Sequence, residues 1–199
     1  QLVKSAIQIM HNSGNTGQWK DGYPGEDIIM DDITSHTCYI LMSEGKAVGS
    51  FALKPGPDPT YSKIYNGAWL NDEPYYVVHR VTSLPETHGT FAAVLNYSFG
   101  ICSNIRIDTF CDNTIMRHLL EKHGFHYCGI IHVANGDERL AFHKNNNSKS
   151  PTATIQNSNF KTPVYTQLPT AYKGLFSIHS WSWYGIIERR KPLSSGCLP

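Results

Sequence analysis

The sequence predicts a mixed α/β fold: a central twisted sheet of parallel and antiparallel strands with helices on both faces. Three observations lead there. Helical and strand hydrophobic periods alternate along residues 1–144 in the order αα–ββ–β–α–β–α–ββ. The middle of that order, 75–82, 87–102 and 105–109, is a strand–helix–strand unit whose right-handed crossover makes its two strands parallel. The flanking strand pairs join through short polar turns and are therefore antiparallel hairpins.

Residues 1–10 place Leu2, Ala6 and Ile9 or Met10 on one helical side, and His11-Asn12-Ser13-Gly14-Asn15 stops the helix. The second helix, 26–33, opens on Glu26 and Asp27, whose charges suit the positive end of a helix dipole. Strands 37–42 and 47–53 flank Glu44-Gly45-Lys46, where glycine supplies a positive φ. Strand 75–82 is almost continuously apolar, as a central strand is. Helix 87–102 carries Ala92, Leu95 and Phe99 in phase, and strand 105–109 follows. Asp112-Asn113 caps a helix that runs through Lys122 and ends at Gly124. Strands 127–133 and 139–143 form a last hairpin about Asn135-Gly136-Asp137. The stretch 54–74 is a long loop in a compact domain, and such loops are usually functional or disordered. It is expected to wall a binding site.

Composition narrows the function. Of 199 residues, 40% are hydrophobic and 17% charged, and the net charge of +1 gives no electrostatic footprint for nucleic acid. No apolar run reaches membrane-spanning length. The five cysteines are widely spaced with no Cys-x-x-Cys pair, which predicts free thiols in a reducing, cytoplasmic setting. Ten histidines show no His-x-x-x-His or His-Glu-x-x-His spacing, so no metal is expected. Residues 1–144 hold 11 basic and 15 acidic side chains, a net of −4; residues 145–199 hold 6 and 1, a net of +5. Composition changes at the same boundary. Ser, Thr, Asn and Pro run to about Pro169, then come Tyr172, Phe176, Trp181, Trp183 and Tyr184 without a clear period. The expectation is one domain, 1–144, and a poorly ordered tail, 145–199. The chain starts without Met or a charged-then-apolar leader. That predicts a trimmed N-terminus, an absent first strand and an unpaired neighbouring edge.

Several motifs stand out: Gly56-Pro57-Asp58-Pro59-Thr60-Tyr61, Trp69-Leu70-Asn71-Asp72-Glu73-Pro74-Tyr75, His79-Arg80-Val81, Ile105-Arg106-Ile107-Asp108-Thr109, Asp112-Asn113, and Gly124-Phe125 with Cys128-Gly129-Ile130-Ile131. From about residue 18 to 144 they resemble the GNAT-superfamily N-acetyltransferases, in particular a bacterial branch. The resemblance implies acetyl-CoA as co-substrate, no metal, and a small-molecule or peptide amine as acceptor; family members are often homodimers. It implies that acetyl-CoA lies in a wedge between strands 75–82 and 105–109. Val81, Thr82 and Ser83 would face the pantetheine arm with their backbone, and Asn113 would bond the same arm. His88, Gly89, Thr90 and Phe91 would meet the diphosphate. An N–H near 80–82 would receive the oxyanion.

The chain departs from the family pattern in two places. Of the phosphate-loop motif Arg/Gln-x-x-Gly-x-Gly/Ala only Gly89 is kept; Glu86 adds negative charge and Phe91 adds bulk, which predicts weakened CoA binding, partly offset by His88 and Thr90. Leu120 stands where many members have a tyrosine acid. His79 is in strand phase with Tyr75, Val77 and Val81 and is the base expected for amine activation, although a buried structural histidine fits the same pattern. Arg80 faces the opposite side and reads as structural. Asp72 and Glu73 would attract a cationic amine, with Glu73 a second catalytic candidate, or are solvated loop carboxylates, which are commoner. Trp69 would wall the acceptor or pack in the core, and with it Tyr61 and Tyr65 suggest a packed-down loop. The alternative is a non-catalytic GNAT-fold module that binds acyl-CoA or a partner. A third reading is a trimmed acetyltransferase with an unevolved tail and no function.

Overall fold

The computed structural model describes residues 1–146 and a short strand at 164–167. The elements are α1 (Leu2–Asn12), α2 (Glu26–Thr34), β1 (Cys38–Ser43), β2 (Lys46–Pro55), a single 3-10 turn (Pro59–Tyr61), β3 (Tyr76–Ser83), α3 (Thr90–Phe99), β4 (Asn104–Thr109), α4 (Thr114–Lys122), β5 (His126–His132), β6 (Glu138–Asn145) and β7 (Val164–Gln167). Among the described residues the sheet has seven strands in the order β5-β6-β4-β3-β2-β1-β7. Only β3 and β4 run parallel. The predicted alternation is therefore present, with two differences. Helix α3 runs Thr90–Phe99 rather than 87–102: Gly89 takes a φ of +80° after a turn from Thr87 N–H to the Leu84 carbonyl, and Gly100 caps the other end. The sequence predicts an unpaired edge beside an absent first strand; in the structure the outer edge of β1 pairs antiparallel with β7, four residues of the stretch read as tail. The other residues of that tail, its aromatic segment and Cys197 lie outside the described residues.

One core lies between the sheet and α3 and α4. Phe51 and Leu53 of β2, Val78 of β3, Ile105 and Ile107 of β4, Phe91, Val94 and Leu95 of α3 and Leu120 of α4 fill it. Each such side chain removed from water contributes roughly 1.5–3 kcal/mol. Helix α2 lies on the other face, where its Asp32 meets Lys54 of β2. Leu120 is fully buried in the core, which explains apolar chemistry at that position.

The loop between β2 and β3 also covers the second face. Tyr61, Val77, Ile131 and Ala141 form a smaller cluster there, with Trp69 and Tyr75 against it. The loop reaches so close to β5 that a Cβ at Gly67 would lie 2.0 Å from the Cys128 carbonyl oxygen, and Gly129, at φ +137°, completes the approach. A buried cation organises the loop's end: the Arg106 guanidinium sits 4.2 Å from the Trp69 ring centroid and 3.8 Å from that of Tyr75, and donates to the Asn71 carbonyl at 2.9 Å.

Beside it, His143 is fully buried. Its Nε2 lies 3.0 Å from Asn104 Oδ1, and its Nδ1 accepts the Leu70 N–H at 3.3 Å, so the ring is neutral with the proton on Nε2. Burial, then Arg106 and His126, push its pKa down to about 4. An unfolded histidine binds its proton near pH 6.5. Between those values the unfolded chain holds more protons, so the contribution is full above about pH 6.5 and is lost as pH falls toward 4. The loss is on the order of 3 kcal/mol. Urea unfolding between pH 6.5 and 5 should show this slope, and His143→Gln should flatten it. An unchanged slope in the variant would contradict the assignment.

Candidate active site

The parallel ladder of β3 and β4 lasts for two residue pairs, Tyr76↔Ile105 and Val77↔Arg106. Beyond them β3 carries a bulge: between the pairs Ala52↔His79 and Ser50↔Thr82, residues 80 and 81 together face Phe51. The strands part there, and a trough of about 970 Å³ runs through the opening. Its lining comes from β3, the start of α3, β4, α4, α1 and the loop after it, the β5–β6 turn, Ile28 of α2, Lys54 of β2, and Asp58 and Thr60 of the β2–β3 loop.

At one end stands the N-terminus of α3, whose cap Gly89 has no side chain to satisfy the first-turn N–H groups. Thr90, the first helical residue, has a buried hydroxyl with no hydrogen-bond partner, and so does Thr109 on β4; both residues line the trough. Free amides at a helix's positive end suit an anionic ligand, and the two buried hydroxyls join them when their side chains rotate toward the trough. Asn113 caps α4, accepting from the Met116 N–H at 3.0 Å, while its Nδ2 donates to Gln18 Oε1 at 2.8 Å. Both of its polar atoms are thus already used within the protein.

At the other end His79 stands among carboxylates. Its Nε2 is 3.2 Å from Asp58 Oδ2, and its Nδ1 is 3.8 Å from Asp108 Oδ1. Tyr61 lies edge-on to the imidazole and donates its hydroxyl to Asp108 Oδ1 at 2.5 Å. Arg139 is 4.0 Å from Asp108 and 3.8 Å from Asp137. Burial pushes the Asp58 carboxyl up, but the hydrogen bond with His79 and the Thr60 amide outweigh it and hold its pKa below the usual value. Burial, and then the Asp108 charge, raise the Tyr61 phenol well above its ordinary value, so it stays a donor.

A scan against protein-family models finds no matching model, and a search of curated proteins finds no match. Solved structures do match. An acetyltransferase of the GNAT family from Streptococcus agalactiae is 30% identical at a TM-score of 0.64, with 72% of this chain and 86% of that chain covered. The chain belongs to the GNAT family. A candidate acetyltransferase from Staphylococcus aureus is 25% identical at a TM-score of 0.53, covering 72% and 88%. A GNAT-family structure from Listeria monocytogenes, 21% identical at 0.50 and covering 72% and 85%, shares the fold.

Against the expected GNAT layout, His79, Val81, Thr82, Ser83, His88, Gly89, Thr90, Phe91 and Asn113 all line the trough. Trp69, Asp72 and Glu73 do not. They precede β3, whereas the strands open past its middle, so they sit at the far end of the strand. Trp69 stacks on Tyr61 and covers Arg106, and Glu73 accepts from Asn104 Nδ2 at 3.1 Å. Glu86 is exposed and is not in the lining. The bulge also breaks the expected phase. Val81 packs into the core between the sheet and α3, on the face opposite Val77, while Arg80 lines the trough with His79 instead of facing away. Sequence reasoning gave no chemical role to Asp58, Tyr61, Asp108 or Arg139, and read Tyr61 only as packing its loop. The signal was present in the motifs that carry the first three.

An unpartnered buried hydroxyl is a cost to the fold. Thr90→Val and Thr109→Val should therefore leave the melting temperature unchanged or raise it, by up to about 2–4 °C each. Calorimetric melts showing a clear loss would mean that those hydroxyls serve the fold itself.

Proposed function

We propose that the chain is an acetyl-CoA-dependent N-acetyltransferase that acetylates a primary amine, of a small molecule or a peptide, by direct attack on the thioester. The observation that carries this is the continuity of one trough from the open α3 N-terminus to the His79 cluster. In this reading the first-turn amides of α3 and Thr90 receive the diphosphate, and the pantetheine arm passes along 81–83. For Asn113 to bond that arm, its contact with Gln18 has to give way.

Asp58 and Asp108 make the other end attractive to a cationic amine. With Nε2–H donated to Asp58, His79 presents the Nδ1 lone pair to the space beside Asp108. The neutral amine attacks the thioester carbon, the C–N bond forms and the oxyanion is held by backbone N–H of 80–82. The bound ammonium first gives one proton to solvent, and the surplus proton left after attack passes from nitrogen to His79 Nδ1. The C–S bond breaks, the CoA thiolate takes a proton from solvent, and His79 returns its own to solvent. Asp58 orients the ring and steadies the imidazolium. Cys38, Cys111 and Cys128 are free thiols, two of them buried, which agrees with a reducing compartment such as the cytoplasm.

The buried Leu120 favours the second reading, a binding module without turnover, because the family's usual proton donor to the thiolate has become core. Thiol release from acetyl-CoA in the presence of a panel of primary amines separates the two. The enzyme reading expects a turnover rate that falls about 100-fold or more in His79→Ala, while the acetyl-CoA dissociation constant by calorimetry stays within about twofold. Thr90→Val should do the reverse, weakening acetyl-CoA binding about 5–10-fold at unchanged turnover. Binding without thiol release for every amine would favour the module.

A further inference from the structure

Arg80 has a φ of +52° in the middle of a strand. Glycine adopts that conformation freely; an L-residue does so only at a cost, and persists there only where its surroundings hold it. What holds Arg80 is a carboxylate from α2. Arg80 Nε donates to Asp32 Oδ2 at 2.7 Å and Nη2 donates to Asp32 Oδ1 at 2.7 Å. The two-point contact fixes the orientation of the planar guanidinium as well as its charge. Asp32 is 1% exposed, and Lys54 of β2 brings a second cation to it at 2.8 Å. Nη1 of the arginine adds a longer bond to the Tyr23 hydroxyl at 3.3 Å.

Residue 80 is also the first of the two that face Phe51 across the bulge, at the place where β3 has left β4. A strained backbone, a buried two-point clamp and the opening of the trough thus coincide at one residue. Asp32 does not line the trough, so it acts through Arg80.

We propose that Asp32 is a positioning residue for acyl transfer: by locking Arg80 in the left-handed conformation it sets the path of the 80–82 backbone, and with it the N–H that meets the thioester oxygen. The inference rests on the acetyltransferase reading above. It makes a distinction that a purely structural ion pair does not. Glycine at position 80 takes a φ near +52° unaided, whereas alanine does not, although both lose the ion pair completely.

The test uses the full chain and acetyl-CoA labelled with carbon-13 at the thioester carbonyl. Difference infrared spectra of the bound ligand report how strongly the carbonyl is polarised, because donation to its oxygen lowers the stretching frequency. Calorimetric affinity and thermal melts accompany each variant. In the wild type the stretch should fall below that of free acetyl-CoA. Arg80→Ala should move it back toward the free value, whereas Arg80→Gly should keep most of the lowering. Asp32→Asn, which leaves the arginine in place, should follow the alanine variant and carries the comparison if that one does not fold. An unshifted stretch in Arg80→Ala, or equal losses in the alanine and glycine variants, overturns the proposal. A wild type that binds acetyl-CoA with no lowering overturns the backbone-donor role beneath it, and a wild type that does not bind at all overturns the acetyltransferase reading itself.

Discussion

Two paired residues of β3 and β4, followed by a bulge, decide where everything else in this molecule goes. Inside a sheet, a strand that leaves its neighbour strips backbone N–H and C=O groups of their partners, and buried groups of that kind need replacements. The gap lies at the C-terminal ends of the only two parallel strands among the described residues. That is also where connections to following helices must start, so the N-termini of α3 and α4 both arrive at its rim. An unpaired backbone and two helix N-termini meet at one interruption in one ladder, beside two unpartnered threonine hydroxyls. The proposed acyl-carrier site is that interruption.

The chemistry at the other end depends on a second layer. Asp58 and Tyr61 reach His79 only because the loop between β2 and β3 is pressed onto the sheet, and it is pressed there by Arg106 between two aromatic rings, by the stacked pair Tyr61 and Trp69, and by neutral His143 beneath Leu70. Trp69 supports the site from behind and does not line it. Charge is handled locally throughout. Asp58 faces His79, Asp108 faces Tyr61 and Arg139, and buried Asp32 faces Arg80 and Lys54, so each of these half-buried or buried carboxylates is held by a partner from a distant part of the chain.

That distance explains what was legible beforehand. Apolar periodicity, turn glycines and the Asn113 cap are local, and they place every element from α1 to β6 within a few residues. The over-long reading of α3 has a local cause too, since Thr87 and His88 look helical unless Gly89 is known to be left-handed. Strand β7 was not legible, because a Ser, Thr and Asn-rich stretch reads as linker until an edge such as that of β1 accepts it. The phase of Val81 was lost to the bulge, which no period reveals. Asp58, Asp108 and Asp32 are joined to their partners across 21 to 48 positions, so composition and spacing show carboxylates without showing what they face. Glu73 misled for the complementary reason: near His79 in sequence, it sits at the wrong end of the same strand.

The central claim is that acetyl-CoA occupies the gap between β3 and β4. Hydrogen–deuterium exchange of the full chain, with and without acetyl-CoA, tests it at the backbone. The account predicts ligand-dependent protection at 80–83, in the first turn of α3 and at the start of α4, with the 62–74 segment on the far side unchanged. Protection confined to that far segment, or none at saturating acetyl-CoA, would contradict it.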